Sequence, residues 1–284
     1  MTIRESVRQG FYYARTCRSL WLFGFLVAIT SSGGSSGGAG NSNADGGGID
    51  LLPFTGIPNI RILIAALVAL AIVGVVVALV VRFLSEGALI EGVVHARRGG
   101  RLGVGEALKL GWAHWAVLLR IALCYVGAIL VALAALIIPV ALAYRGLGSA
   151  GALALGVPAL ITAVPVFVTL HIVQAFASRI AVIENRHALD AIGKARLFLH
   201  GRLGLGLRLV VANLIGTIGF ALAGIAAIVP LVLLCVALLT VVQLPLAILA
   251  AGVLLAPLGF VVFAMLGTYR SAIWTLGYLA EVDA

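Results

Sequence analysis

A nine-residue stretch recurs at a spacing that sets the size of the folding unit. Phe83-Leu84-Ser85-Glu86-Gly87-Ala88-Leu89-Ile90-Glu91 reappears 93 residues later as Phe176-Ala177-Ser178-Arg179-Ile180-Ala181-Val182-Ile183-Glu184. A further 93 residues on stands a reduced copy, Tyr269-Arg270-Ser271. Each copy closes a long apolar run. Soluble repeat units have periods of about 20–50 residues. A unit of 93 residues holds two bilayer crossings of about 20 residues each, with their connections. The sequence therefore predicts an all-α transmembrane bundle of about six spans, built as three helical hairpins. The pseudo-repeats fall at about 1–95, 96–187 and 188–284 of a single integral membrane domain.

Composition agrees with lipid as the solvent. Hydrophobic residues are 63% of the 284, only 10% are charged, and the mean hydropathy is +1.20. A soluble domain needs about a quarter of its residues charged. Backbone groups in lipid must be satisfied within the segment, and the apolar runs do not alternate, so helices rather than a barrel are expected.

The order along the chain is repetitive. Residues 2–18 are basic and amphipathic, with Ile3, Val7, Phe11 and Ala14 at helical spacing. Ser19–Ile29 is apolar but short, like a signal-peptide core. The long leader holds Glu5 and no A-x-A site follows, which favours a retained helix starting near Phe11 with Arg15 and Arg18 reaching the interface. Residues 30–50 are rich in Gly and Ser and read as a flexible outer loop. A phosphate-binding loop would need a preceding strand and a following Lys-Ser/Thr helix, and neither is present. Spans are expected at 58–83, 115–143, 152–183, 203–234 and 244–279. A basic inner loop is expected over 87–105 and a turn over 144–151. Amphipathic segments at 2–16, 104–115 and 189–200 precede the three units and are expected to lie along the cytoplasmic interface. Gly216, Gly219, Ala223 and Gly224 on the fifth span, and Gly252 and Gly259 on the sixth, read as close-packing positions.

Charge fixes the orientation. Of 19 Lys and Arg, all but Arg61 and Arg145 fall on the side shared by the termini and the inter-repeat links. The positive-inside rule then places both termini in the cytoplasm. The net charge of +9 serves topology and anionic lipid, not nucleic acid. Arg4, Arg8, Arg97, Arg98, Arg101, Lys109, Lys194 and Arg196 are the candidate lipid contacts.

Leu20-Trp21-Leu22-Phe23-Gly24-Phe25-Leu26 before a Gly-rich loop, Glu91-Gly92-Val93-Val94 with a later Gly-Gly-Arg, and Ile183-Glu184-Asn185 before an amphipathic helix carry a resemblance. The chain resembles uncharacterised bacterial six-span proteins similar to the membrane domain attached to some glycerophosphodiester phosphodiesterases. The resemblance spans nearly the whole chain and implies a bacterial inner-membrane protein. The catalytic half of such phosphodiesterases is a separate soluble barrel, for which this chain has no room. His95-Ala96-Arg97-Arg98-Gly99 only superficially matches a His-Arg-Gly motif, because an alanine interrupts it.

Ionisable groups within spans are functional candidates. Glu86 and Arg179 share one repeat position with opposite charge, and Arg270 lies two positions before its third copy. They either cap spans at the interface or pair near a common axis. Arg120, His171, Gln174, Arg208 and Asn213, with Gln243, are the deeper polar groups. They either line a polar path or bond between helices. Histidines lack metal-ligand spacing, and Cys17, Cys124 and Cys235 form no pattern, so no cofactor, metal or catalytic residue is expected. The reading favoured is a non-enzymatic membrane-organising or accessory protein that contacts anionic lipid or a membrane protein partner. Its rivals are a small transporter or channel along the pseudo-threefold axis, and a membrane enzyme acting on lipid.

Overall fold

The computed structural model describes residues 3–32, 60–100, 102–239 and 244–282. Among them there is no strand. The helices are α1 (Ile3–Thr16), α2 (Trp21–Ser32), α3 (Ile60–Arg97), α4 (Val104–Ile183), α5 (Ala188–Leu199), α6 (Leu203–Leu239) and α7 (Leu244–Val282), with a 3-10 turn at Arg18–Leu20. The break in α4 is Gly148, whose φ of 67° and ψ of −155° no helix allows. Beyond it the chain returns antiparallel: Ile121, Tyr125 and Ala128 face the same cavity as Leu170, Val173 and Gln174. Two limbs result, Val104–Gly146 and Gly148–Ile183.

Among the described residues, five helical segments are long and apolar enough to cross a bilayer. The sixth expected span, α2, has 12 residues. At 1.5 Å per residue it covers about 18 Å, short of the ~30 Å hydrocarbon core. The outer loop at 33–50 and the outer connections around 51–59 lie outside the described residues.

Several expected boundaries are corrected. The N-terminal helix does not run on from Phe11 through Arg18. It ends at Thr16, and the Trp21 indole donates to the Ala14 carbonyl at 2.7 Å, fixing the corner. The inner loop expected from Gly87 is helical as far as Arg97. Gly87 stays in the helix because its bare Cα lets Gly111 of α4 come within van der Waals contact. The helix ends instead at Gly99, in the left-handed region at φ 80°, where Gly100 donates to the His95 carbonyl. Residues 104–115 are no separate surface helix. They are the first turns of α4's first limb, because no Pro or Gly pair separates them from the span. The 144–151 turn shrinks to the single break at Gly148.

Packing is concentrated at one end. α1, Arg97, the Arg202–Glu281 ion pair at 3.2 Å and the α4–α5 link share that end. There Phe176 meets Trp274 edge-on at 5.7 Å, and Phe198 contacts both Phe176 and Tyr278. Toward the far end, every residue from Ala65 to Leu79 of α3 is exposed. Hydrocarbon chains suit that surface of Leu, Val and Ala. The close-packing glycines are mostly not those expected. Gly24 and Gly267 bring α2 and α7 together, and Gly111 rides on Leu84 and Ala88. Of the expected set, Gly216 lies under the Tyr269 ring, and Gly224 meets Val262. Gly219, Gly252 and Gly259 have no neighbour within 4 Å of where a Cβ would stand.

Candidate functional site

Ser85, Ser178 and Ser271, spaced by 93 residues, are all buried, on α3, α4's second limb and α7. Beside them is a cavity of about 350 Å3. Arg82, Glu86 and Leu89 of α3, His171, Gln174, Ser178 and Arg179 of α4, and Gly267, Arg270, Ser271 and Trp274 of α7 line it. Val27 of α2 and Asn213 of α6 complete the wall.

Glu86 and Arg179 do meet: Arg179 Nη1 lies 3.5 Å from Glu86 Oε1. The arginine side chain is 8% exposed and the glutamate 23%. The same Nη1 donates to the Ala175 carbonyl at 2.9 Å. A stretched pair with a backbone bond leaves capacity over, and the buried Arg179 Nε has no partner. Ser271 Oγ, Ser85 Oγ and Asn213 Oδ1 are likewise buried without one. Arg270 enters from α7 and donates from Nε to Thr217 Oγ1 at 3.4 Å. His171 is the exposed lining residue, its ring edge-on to Trp274. Three arginines and one glutamate therefore line the cavity. On its wall, Leu89 belongs to the buried cluster that holds Ala272, Leu276, Leu20 and Phe23.

Six of the nine expected polar candidates thus line one cavity: Glu86, Arg179, Arg270, His171, Gln174 and Asn213. Arg120 and Arg208 are not among its lining residues and are exposed on the outer surfaces of α4 and α6. Gln243 lies outside the described residues. Arg82 was not singled out from the sequence, and the serines stood only as repeat markers. A base four residues before Glu86 on α3 is the signal that points to Arg82.

A second polar cluster sits deeper in the packed end. Glu184 accepts from Lys194 Nζ at 2.6 Å, from Arg186 Nε at 2.8 Å and from the Tyr278 hydroxyl. Burial pushes its carboxyl up, but these three donors outweigh it and hold the group below its usual range. Glu91, at the same register one repeat earlier, lies 3.8 Å from both His95 and His114. Among the expected lipid contacts, Arg8, Arg98, Lys109 and Arg196 are exposed at this end, Arg97 lines a cleft with Arg8, and Lys194 is held by Glu184. The Arg4 side chain and Arg101 lie outside the described residues. No group of three His, Cys, Asp or Glu with metal-binding proximity occurs among the described residues. Compared with known protein families, with curated proteins and with solved structures, the chain finds no match.

Proposed function

We propose that this chain is a non-enzymatic, multi-pass protein of the bacterial inner membrane, with both termini in the cytoplasm. It organises or assists the membrane through contact with anionic lipid. The observation that carries the reading is the placement of exposed base. Arg8, Arg15, Arg98, Lys109 and Arg196 surround the packed end, while the far halves of the spans present bare apolar side chains. Each base near an anionic surface contributes about 1 kcal/mol, and the sum is sensitive to salt. Purified protein should therefore bind phosphatidylglycerol vesicles more than neutral vesicles at low salt, with the preference shrinking as salt rises. Equal binding to both at every salt concentration would end the reading.

The three-hairpin arrangement belongs to the same proposal. Its support is a closed order of contacts. Gly10 of α1 packs on Tyr269 and Ile273 of α7. Gly111 of α4 packs on Leu84 and Ala88 of α3, and Phe198 of α5 stacks on Phe176 of α4's second limb. Each unit's opening segment thus rests on the returning helix of the unit before it, and the first rests on the last. A pseudo-threefold axis predicts that cyclic pattern.

A second reading, a transporter or channel along that axis, draws on the polar cavity between the returning helices. The buried apolar cluster of Leu89, Ala272 and Leu276, entered from the cavity wall at Leu89, favours the first reading, since a continuous path needs polar groups on both sides.

A further inference from the structure

We propose that the cavity between α3, α4 and α7 seats the phosphate of one membrane lipid, entering from the bilayer side. The inference rests on the anionic-lipid reading and deepens it, from surface attraction to a built site.

Three arginines, Arg82, Arg179 and Arg270, line the cavity from three different helices, with the Arg82 guanidinium lying over the Phe83 ring at 5.9 Å. Glu86 is the single carboxylate on its wall, so the lining carries an excess of two positive charges. Arg179 is 6% exposed, and its Nε–H has no acceptor. The Ser271 hydroxyl, 5% exposed, and Asn213 Oδ1 also lack partners. Hydroxyl and guanidinium are both donors, and the Asn amide presents its NH2 when its two ends are exchanged. Buried donors left over beside a cationic excess call for an anion with several acceptor oxygens. A phosphate ester has them, and guanidinium matches phosphate in shape and charge.

The surroundings select lipid over a free ion. The exposed lining residue, His171, lies eight residues along α4 from Arg179 on the side of the far end. Farther out on the three lining helices, Leu79, Val164, Val166 and Phe263 are all exposed. On the other side, Leu89 packs into the buried cluster of Leu276, which lines the cleft of Arg8 and Arg97. A headgroup seated at Arg179 would lay its acyl chains along those apolar surfaces.

The test uses the full chain in detergent micelles, with occupancy read by native mass spectrometry. The probes are phosphatidylglycerol, diacylglycerol as a lipid without phosphate, and inorganic phosphate. One phosphatidylglycerol should bind per chain, saturably, and millimolar inorganic phosphate should not displace it. Arg270→Gln and Arg82→Gln should each weaken that site at least tenfold, and Ser271→Ala by a few-fold. Glu86→Gln, which removes the repelling carboxylate, should strengthen it. Arg8→Gln and Arg196→Gln should leave the one-per-chain site unchanged while lowering vesicle adhesion. Wild-type affinity in both Arg270→Gln and Arg82→Gln, equal binding of diacylglycerol, or saturation by inorganic phosphate alone would overturn the proposal. If vesicle adhesion shows no anionic preference but the Arg270-dependent site persists, the surface reading falls and the cavity site stands.

Discussion

At the residue scale the Glu86–Arg179 contact is asymmetric, and that asymmetry is measurable. Arg179 is nearly enclosed, whereas Glu86 keeps some access to the cavity. Removing Glu86 strands a buried charge, which costs on the order of 3 kcal/mol. Removing Arg179 leaves a carboxylate that water can still reach, at a smaller cost. Glu86→Gln should therefore lower the melting temperature in lipid-free detergent more than Arg179→Gln. The charge-exchanged double variant, Glu86→Arg with Arg179→Glu, should recover much of what either single exchange loses. Simple additivity of the two exchanges would mean the groups act independently. Glu184 gives a second prediction. Its folded carboxyl titrates below the ordinary value of 4.5, because the donors from Lys194, Tyr278 and Arg186 outweigh burial. The stability it contributes is thus complete above the unfolded value and is lost as pH falls through the folded one. Melting temperature should fall from pH 5 toward pH 3 more steeply in the wild type than in Glu184→Gln, and parallel curves would refute the linkage. Sequence spacing singled out Glu86 and Arg179 as one position in two copies, and Arg270 as a base two positions before the third. It misplaced Arg120 and Arg208, because an apolar run on all sides gives no phase for the helix. Nothing in the sequence says which face of such a run meets protein.

At the element scale the same missing phase explains the glycines. Composition marks many candidates, but only the approach of a second backbone gives one a role. A Cβ on Gly267 would stand 2.0 Å from the Gly24 carbonyl oxygen, so α2 and α7 must separate to admit it. A Cβ on Gly219 meets nothing, and alanine there gains up to about 1 kcal/mol in helix propensity. Gly267→Ala should therefore lower the thermal stability of the purified protein by several degrees, and Gly219→Ala should hold or raise it. The opposite ranking would remove the α2–α7 contact from the account of the fold. Helix lengths show a related limit. The apolar runs were legible as spans, yet α3 and α4's first limb continue for 38 and 43 residues. That is about twice what a bilayer needs. The surplus turns are where the core lies, packed through Leu84, Ala88, Val93 and Ala107. Their amphipathic pattern looks alike whether the apolar stripe meets lipid or another helix, so the sequence could not separate a surface helix from the base of a span.

At the scale of the whole molecule, parity bears on the one span that length leaves open. Arg8 of α1 and Arg97 at the end of α3 line the same cleft, together with Leu276 and Ala280 of α7. The chain must leave that end and return to it between residues 8 and 97, so its crossings there sum to an even number. α3 supplies one, with a mean hydropathy of 2.9 over its most apolar window. The segment from Trp21 to Asn59 must then supply an odd number, and α2 is its only apolar helix among the described residues. A 12-residue helix crosses only with help from its neighbours or from a thinned bilayer. The help is present: Gly24 presses against Gly267, and Phe25 stacks on Phe260 at 4.6 Å. An alkaline phosphatase fusion after Asp45 should therefore be active, and fusions after Arg101 and after Asn185 should be silent, whereas one placed at Gly148 should be active. Silence at both Asp45 and Arg101 with activity at Gly148 would make α2 and α3 a re-entrant pair that never crosses. Activity at Arg101 would break the shared cleft of Arg8 and Arg97, and with it the cyclic order of contacts on which the three-hairpin reading stands.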